Sequence, residues 1–189
     1  MTPDSKTQQM EEALLLQRLR DPATCRAAFA DVISRYSEPL YRQIRRMVAS
    51  HDDAADLLQN TFMKSWMNIE GFKGTAKLST WLHKIAINES LSFLEKERRR
   101  QSASLDDEES GLVNTIMADE WIDGDELTRK LRIAIASLPE KQRLVFNMRY
   151  YDEMKYEQMS EILGTSVGAL KASYHLAEKK IKEFFDNND

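Results

Sequence analysis

The sequence is poor in the residues that build disulfides, flexible linkers and membrane spans. Among its 189 residues there is one cysteine, Cys25, with four prolines and six glycines. A single thiol excludes an intramolecular disulfide and a cysteine-clustered zinc site, and it indicates a reducing compartment. No apolar run approaches the roughly 20 residues that a membrane helix needs. We therefore expect a helical cytoplasmic protein without membrane insertion, and neither a collagen-like nor a linker-like chain.

The sequence also has little of what catalysis and metal binding require. Its three histidines, His51, His83 and His175, fall on separate segments. No cysteine or carboxylate partner recurs beside them at the spacing of a metal site or a catalytic triad. A glycine-rich phosphate loop is absent as well. We expect no enzymatic activity, no metal and no cofactor.

Charge is distributed unevenly along the chain. Segments 1–25, 26–100, 101–127 and 128–189 carry formal net charges of −1, +4, −9 and +2. The third segment holds nine carboxylates and no Lys or Arg, so it repels itself and predicts a linker with at most a short helical turn at residues 116–121. We expect an N-terminal extension, a first domain, this acidic linker and a second domain.

Helical spacing of apolar residues dominates the first domain. Residues 26–49 predict two helices with a kink or break at Pro39. Ser50 and Asp53 resemble a capping box and begin a helix that ends near Asn68. The stripe predicted to face the core of that helix consists of Ala54, Leu57, Leu58, Thr61, Phe62, Ser65, Trp66 and Ile69.

The last helix predicted for this domain has an unusual surface. A loop bracketed by Gly71 and Gly74 leads to Ser79, the predicted N-cap. Two apolar faces of the helix flank a strip made of Trp81, Lys84, Asn88 and Ser92. A helix held on both sides by the core, with a mixed strip between, suggests that the strip contacts something other than water. The plain alternative is a core tryptophan beside solvated polar residues.

The second domain carries the most specific pattern in the chain. A short helix ends at Gly164, Ser166 offers a hydroxyl N-cap, and a longer apolar-striped helix follows from Val167. This order is typical of a helix-turn-helix, whose second helix lies in the DNA major groove; a helical hairpin without DNA is the alternative. The predicted helices span residues 128–136, 139–151, 156–163 and 167 onward. The outward positions of the last helix are Gly168, Ala169, Lys171, Ala172, His175 and Lys179.

These motifs resemble two conserved regions of bacterial sigma factors. DLLQNTFMKSW at residues 56–66, FKG at 72–74 and STWLHKIAIN at 79–88 are similar to the second region. Four segments of the second domain are similar to the fourth region: LPEKQR at 138–143, RYY at 149–151, YEQMSEILG at 156–164 and SVG at 166–168. Two regions in this order without a third between them resemble the extracytoplasmic-function (ECF) group. The resemblance implies an all-α fold of two small domains.

The resemblance implies a role for each surface of the first domain. In the family, this region docks on the clamp of the polymerase largest subunit, melts the proximal (−10) element and holds an extruded base. Asp56, Gln59 and Lys64 match the clamp-contacting positions, and Asn60 and Met63 share their outward face. The positions predicted to contact the melted strand are Gly74, Thr75, Ala76, Lys77, Leu78, Ser79, Trp81, Lys84 and Asn88.

For the second domain, the resemblance implies major-groove recognition of the upstream (−35) element and contact with the polymerase flap. Ser166, Lys171 and His175 match the DNA-contacting positions, beside the outward residues named above. The implied partners are core RNA polymerase, promoter DNA and an anti-sigma factor, and the free protein is expected to be a monomer. The acidic linker is similar to a segment that mimics nucleic acid in the polymerase channel.

Two other functions stay open at this point. A stand-alone helix-turn-helix regulator would bind duplex DNA by itself, at a palindromic site that matches a two-fold dimer. An adaptor would dock on polymerase through Asp56 and Lys64 and show no promoter preference. A sigma factor differs from both, because it binds promoters weakly until polymerase is present.

Overall fold

A computed structural model describes residues 5–48, 50–101 and 126–188. Within these ranges the chain is helical and contains no strand, which confirms the predicted fold class. The elements are α1 Ser5–Arg20, α2 Cys25–Arg45, α3 His51–Asn68, a 3₁₀ turn Ile69–Gly71, α4 Leu78–Gln101, α5 Glu126–Ala136, α6 Glu140–Tyr150, α7 Tyr156–Leu163 and α8 Val167–Asn188. None of the described helices is long and apolar enough to cross a membrane. The turn predicted at residues 116–121 lies outside the described residues.

The first domain is a bundle of α1 to α4 around a common apolar core. Val32, Leu40 and Ile44 of α2 are fully buried, as are Leu82 and Ile87 of α4. The buried hydroxyls of Thr61 and Ser65 on α3 donate to the carbonyl oxygens four residues earlier, each at 2.7 Å. Because these polar groups are satisfied inside their own helix, α3 can pack closely between its neighbours.

Pro39 does not divide α2 into two helices. The helix runs without interruption through the proline from Cys25 to Arg45, so the predicted break is wrong. Proline removes one backbone hydrogen bond, but Leu40 and Ile44 beyond it are fully buried in the same core as Val32 before it. Burial of these side chains on both sides of the proline keeps the helix continuous.

Helix starts in the first domain are set by one local and one distant group. The Ser50 hydroxyl accepts a hydrogen bond from the Asp53 amide at 3.2 Å, which confirms the predicted cap of α3. For α4 the predicted cap needs a correction, because the helix begins at Leu78 and Ser79 lies inside its first turn. The Leu78 amide instead donates to Glu12 of α1.

The second domain has the predicted helix-turn-helix. Gly164 ends α7 in the left-handed region, with φ of 62°, where glycine avoids the steric cost of a side chain. The Ser166 hydroxyl accepts from the Ala169 amide at 3.3 Å and so caps α8. Phe146 of α6 stacks on Tyr174 of α8, with ring centroids 5.5 Å apart. Pro139 precedes α6 directly, so that helix starts one residue later than predicted.

The two domains pack against each other and share one apolar core. Buried residues of α6 to α8, including Met148, Met159 and Leu170, belong to the same cluster as those of α1 to α4. Polar contacts add to this interface: Gln158 Nε2 lies 3.5 Å from the Thr80 hydroxyl of α4. The relative placement of the domains, which the sequence does not specify, is therefore a packed one.

A chain of polar side chains crosses the domain interface. The His83 Nδ1 atom of α4 lies 2.8 Å from Gln43 Oε1 of α2, and Gln43 Nε2 donates to Asp152 Oδ2 at 3.0 Å. Asp152, which follows α6, also forms an ion pair with Arg46 after α2. Burial raises the pKa of Asp152, against the opposing effects of Arg46 and Gln43. Burial, followed by the Arg46 charge, lowers the pKa of His83 to about 4.

We predict that His83 makes the protein less stable in mild acid. When the chain unfolds, His83 regains its ordinary pKa of 6.5, so between pH 6.5 and 4 the unfolded state binds more protons. The unfolding free energy is therefore highest with respect to His83 above pH 6.5, and it decreases as the pH falls from 6.5 towards 4. Compared with His83→Asn, the wild type should lose about 2 kcal/mol of unfolding free energy between pH 7.5 and pH 5 in urea titrations.

The His83→Asn variant suits this comparison because its amide nitrogen can replace the Nδ1 donor without titrating. Asp152 is present in both proteins, so its own opposite pH dependence cancels. His175→Asn, which removes an exposed histidine of α8, is the matched control and should follow the wild type. Parallel pH profiles for wild type and His83→Asn would contradict the prediction.

Candidate nucleic-acid and polymerase interface

An open cleft lies between α3 and α4. Its volume is about 400 Å³. The 3₁₀ turn contributes Gly71 to its lining, and Lys64 of α3 and Glu89 of α4, which also line it, form an ion pair. The lining residues are Lys64, Asn68, Gly71, Trp81, Ile85, Asn88 and Glu89. The cleft thus combines an aromatic ring, amides and charged groups in one open surface.

The loop of residues 72–77 connects the 3₁₀ turn with α4 beside this cleft. Phe72 at its start packs on Trp81, with ring centroids 4.9 Å apart. Gly74 has a φ of 73°, a conformation that favours glycine. Lys73, Gly74, Thr75 and Lys77 are exposed, and Ala76 and Ser79 are half-buried. The Leu78 side chain is fully buried. The prediction that Leu78 contacts the melted DNA strand is therefore wrong, because its side chain lies in the core.

The strip predicted on α4 is exposed, but the second domain covers part of it. Lys84 and Asn88 are exposed, and Trp81 is half-buried. The Lys84 ammonium group donates to the carbonyl oxygen of Glu161 in α7 at 3.3 Å. The helix-turn-helix therefore lies against one edge of the surface that the sequence analysis assigned to DNA.

The outward face of α3 carries the five residues predicted to bind polymerase. Asp56, Gln59, Asn60, Met63 and Lys64 are all exposed. Lys64 differs from the other four because its ammonium group turns to Glu89 of α4. It therefore lies where the α3 face meets the cleft.

Large apolar side chains are exposed on α3 as well. Met63 and Met67 are 56% and 77% exposed. Trp66, predicted to face the core, is 43% exposed, with its ring against Phe29 at a centroid distance of 4.9 Å. The inward prediction for Trp66 is wrong because Phe62 and Ser65 fill the core side of this turn.

The outer face of α8 is accessible in this packed arrangement. All six outward positions predicted for α8 are exposed, as is Ser166 before it. The Ser166 hydroxyl is engaged in the helix cap, Lys171 lies 5.7 Å from the Tyr156 ring centroid, and Lys179 pairs with Glu183 at 3.7 Å. The small residues Gly168, Ala169 and Ala172 leave the first turns of the helix sterically open.

Several residues of the cleft were missed by the sequence analysis. Ile85 and Glu89 lie four and eight residues after Trp81, on one helix face, and this spacing was a usable signal. Asn68 and Gly71 come from the end of α3 and the following turn, where no periodic pattern indicates a cleft. Among the described residues, no group of His, Cys, Asp and Glu is arranged to hold a metal ion.

Comparisons with known proteins agree with this architecture. The family model for sigma-70 region 2 matches residues 32–100, and the model for sigma-70 region 4 matches residues 128–181. The ECF RNA polymerase sigma factor SigW of Bacillus subtilis is 30% identical over 166 residues, which cover 82% of this chain and 88% of SigW. The chain belongs to the ECF group of sigma factors. It is a transcription initiation factor that acts with RNA polymerase at promoters.

Other ECF sigma factors align with this chain over most of the length of both proteins. The ECF RNA polymerase sigma-E factor of Escherichia coli K12 is 27% identical over 183 residues, 93% of this chain and 94% of that protein. Among solved structures, CnrH in complex with the cytosolic domain of CnrY aligns with a TM-score of 0.69 at 19% identity, over 94% of this chain and 99% of that one. RpoE of Bartonella quintana in complex with the anti-sigma factor NepR aligns with a TM-score of 0.67 at 22% identity, over 84% and 96%. These two structures share the fold.

We predict that breaking the Arg46–Asp152 ion pair releases the exposed Lys84 ammonium group from its hydrogen bond to the Glu161 carbonyl oxygen of α7. In the wild type, side chains of Arg46 and Asp152 are 23% and 9% exposed. Removal of one partner from such a buried pair costs on the order of 3 kcal/mol. Asp152→Ala should therefore loosen the packing of α7 on α4 and raise the acetylation rate of Lys84 severalfold, measured by mass spectrometry against exposed Lys77.

Two further variants of the ECF sigma factor make this test specific. Glu157→Ala removes an exposed carboxylate from α7 and should leave the labelling of Lys84 unchanged. Arg46→Met combined with Asp152→Leu replaces both charges by apolar groups, which retains packing without a buried unpaired charge, and should keep the labelling of Lys84 at the wild-type rate. Equal labelling of Lys84 in the wild type and in Asp152→Ala would show that the ion pair does not hold the domains together.

Proposed function

We propose that this ECF sigma factor divides promoter recognition between the α3–α4 cleft, which binds the melted proximal strand, and α8, which binds the upstream duplex. Polymerase is bound in part through the outward face of α3. The observation that carries this proposal is the cleft itself. It places an aromatic ring, two amides and an exposed glycine-containing loop beside one another on the domain that matches sigma-70 region 2.

The cleft has the chemistry that an extruded base requires. A flipped base is held by stacking and by hydrogen bonds to its edge. Trp81 offers the aromatic surface, and Asn88 offers an amide donor and acceptor at the cleft wall. Asn68 adds a second amide, whose Nδ2 atom also donates to the Lys64 carbonyl oxygen at 2.8 Å. A stacked base contributes about 1–3 kcal/mol. Lys73 and Lys77 on the adjacent loop are exposed and supply positive charge for the strand backbone.

The exposed face of α8 fits the major groove of the upstream element. Gly168, Ala169 and Ala172 let the helix approach base edges closely, and Lys171 and His175 follow as polar groups that reach bases or phosphates. Ser166 acts through its helix cap. This divides the predicted upstream set into one residue that shapes the helix start and others that face the DNA.

The outward face of α3 fits a helical protein partner. Met63, Trp66 and Met67 supply apolar area that is exposed in the free protein. Asp56, Gln59 and Asn60 surround this area with polar groups. Flexible thioethers adapt to a partner surface, and an aromatic anchor within a polar rim is typical of protein interfaces. We assign this face to the polymerase clamp.

The packed domains must separate for both promoter elements to be bound. Elements centred at −10 and −35 lie about 25 base pairs apart, which is about 85 Å of B-form DNA at 3.4 Å per pair. In the free protein, α7 contacts α4 directly. We infer that binding to polymerase moves the second domain away from α4 and releases Lys84 from Glu161.

We also infer that the free protein is a monomer and that an anti-sigma factor restrains it. A cytoplasmic monomer held by an anti-sigma factor agrees with the exposed apolar face of α3, which such a factor would cover. The structural neighbours named above were solved as complexes with CnrY and with the anti-sigma factor NepR. We assign no catalysis to the chain, because its role is to direct the polymerase.

Run-off transcription tests the proposal directly. Core polymerase from the source organism is incubated with sheared genomic DNA, with and without this protein, and the transcript starts are mapped. We expect discrete starts that require the protein and share two upstream sequence blocks. No added starts, together with tight binding of duplex DNA by the protein alone, would support a stand-alone regulator instead.

Variants of the two DNA surfaces should fail in different ways. Lys171→Ala with His175→Ala should weaken protection of the upstream block about tenfold, since a good base contact contributes about 1–3 kcal/mol. Asn88→Ala should leave upstream protection intact and reduce strand opening at the proximal block. Footprints of the holoenzyme on a mapped promoter separate these effects. Lys180→Ala, at an exposed α8 position outside the predicted set, is the control; unchanged upstream footprints in the double variant would overturn the α8 assignment.

A further inference from the structure

Helix α1 reaches the loop beside the cleft, although its sequence suggested only an N-terminal extension. Leu15 and Leu19 of α1 are 7% and 5% exposed and belong to the core of the first domain. The Thr24 hydroxyl donates to the Arg18 carbonyl oxygen at 2.8 Å and fixes the end of the helix. Because α1 is anchored in this way, its polar side chains are held in place beside residues 72–77.

Glu12 of α1 caps the helix that carries the cleft residues. Its Oε1 atom accepts a hydrogen bond from the Leu78 amide at 2.9 Å, at the first residue of α4. Lys77, which precedes the helix, has no side-chain oxygen that could act as a local cap. A carboxylate at a helix N-terminus also interacts favourably with the helix dipole. Glu12 therefore does for α4, from a distant helix, what Ser50 does locally for α3.

Arg20 of α1 contacts the other end of the same loop. Its Nη2 atom donates to the Lys73 carbonyl oxygen at 3.2 Å. A Cβ atom added to Gly74 would lie 3.3 Å from that nitrogen and 3.9 Å from a methyl carbon of Leu16. The loop thus passes close to α1 at its glycine, so both ends of the segment between the 3₁₀ turn and α4 are held by one helix.

We propose that Glu12, assisted by Arg20, is a positioning residue for the base-binding loop, so that α1 is part of the proximal-element site. Glu12 fixes the start of α4, and with it the distance between the loop and Trp81 three residues further on. Neither residue touches the cleft itself. This inference rests on the proposed function of the cleft.

Hydrogen exchange of the full-length protein tests whether Glu12 holds the loop. Glu12→Ala should speed exchange of the Leu78 amide about tenfold or more, because a hydrogen bond to a charged acceptor is lost. Glu12→Gln keeps an acceptor oxygen without the charge and should restore part of the protection. Glu11→Ala removes the neighbouring exposed carboxylate and should match the wild type. Unchanged exchange of Leu78 in Glu12→Ala would overturn the inference.

Open-complex formation by the holoenzyme tests whether Glu12 affects binding of the extruded base. On a promoter mapped by run-off transcription, each base of the proximal non-template strand is replaced in turn by an abasic site. The wild type should lose open complexes roughly tenfold or more at the position of the extruded base. In Glu12→Ala the loss of open complexes caused by the abasic site should become small or absent, because a displaced loop no longer distinguishes a base from its absence. In Glu12→Gln the loss of open complexes at the abasic site should return.

The outcomes separate the inference from the proposed function. A general loss of stability in Glu12→Ala would lower open-complex formation equally on intact and abasic promoters and would overturn the positioning role. A full abasic penalty in Glu12→Ala would overturn it too. Failure of the proposed function is recognised differently, by a wild-type protein that gives transcript starts but loses no open complexes at any abasic position, and the role of α1 in base binding would fall with it.

Discussion

The packed arrangement of the two domains depends on one half-buried arginine at their boundary. Arg46 pairs with Asp152, its guanidinium lies 4.9 Å from the Tyr151 ring centroid, and its carbonyl oxygen accepts from Asn147. Burial lowers the pKa of Arg46, and the Asp152 charge opposes that shift. A guanidinium in this position stays charged and needs its partner. Apolar contact has no preferred direction, whereas this pair and its hydrogen bonds require a defined geometry between the two domains.

The surface that packs the domains together overlaps the surface that we assign to melted DNA. Thr80 and Lys84 of α4 contact α7 in the free protein, and Trp81 and Asn88 on the same helix line the cleft. One helix therefore contributes both to the domain interface and to the cleft. A partner can open the protein only if it binds the separated domains better than the packed ones, by at least the free energy of the interface. Polymerase meets this condition in our proposal, because it binds the outward face of α3 while the promoter occupies α4.

The helices and their caps were predicted well where they depend on residues close together in the sequence. Contacts between residues far apart in the sequence were not predicted. The Ser50 cap, the left-handed Gly164 and the helix-turn-helix follow from residues a few positions apart. Trp66 was misplaced because its spacing fits the core face while Phe62 and Ser65 already fill it. Glu12 reaches Leu78 across 66 positions, and Arg46 reaches Asp152 across 106. Contacts of this range have no period, so the cap of α4 and the domain interface needed the structure.

The total charge of −4 conceals a division that agrees with the proposed mechanism. The acidic segment from 101 to 127 carries −9, while the domains on either side carry +4 and +2. These domain charges are small for a protein that would have to find DNA alone, because electrostatic contacts supply most non-specific affinity. A factor held on polymerase gains a high local concentration at the promoter and needs few such contacts. Modest charge on both domains, an uncharged start to α8 and a cleft that relies on one aromatic ring are therefore consistent features of a protein that depends on its partner for affinity.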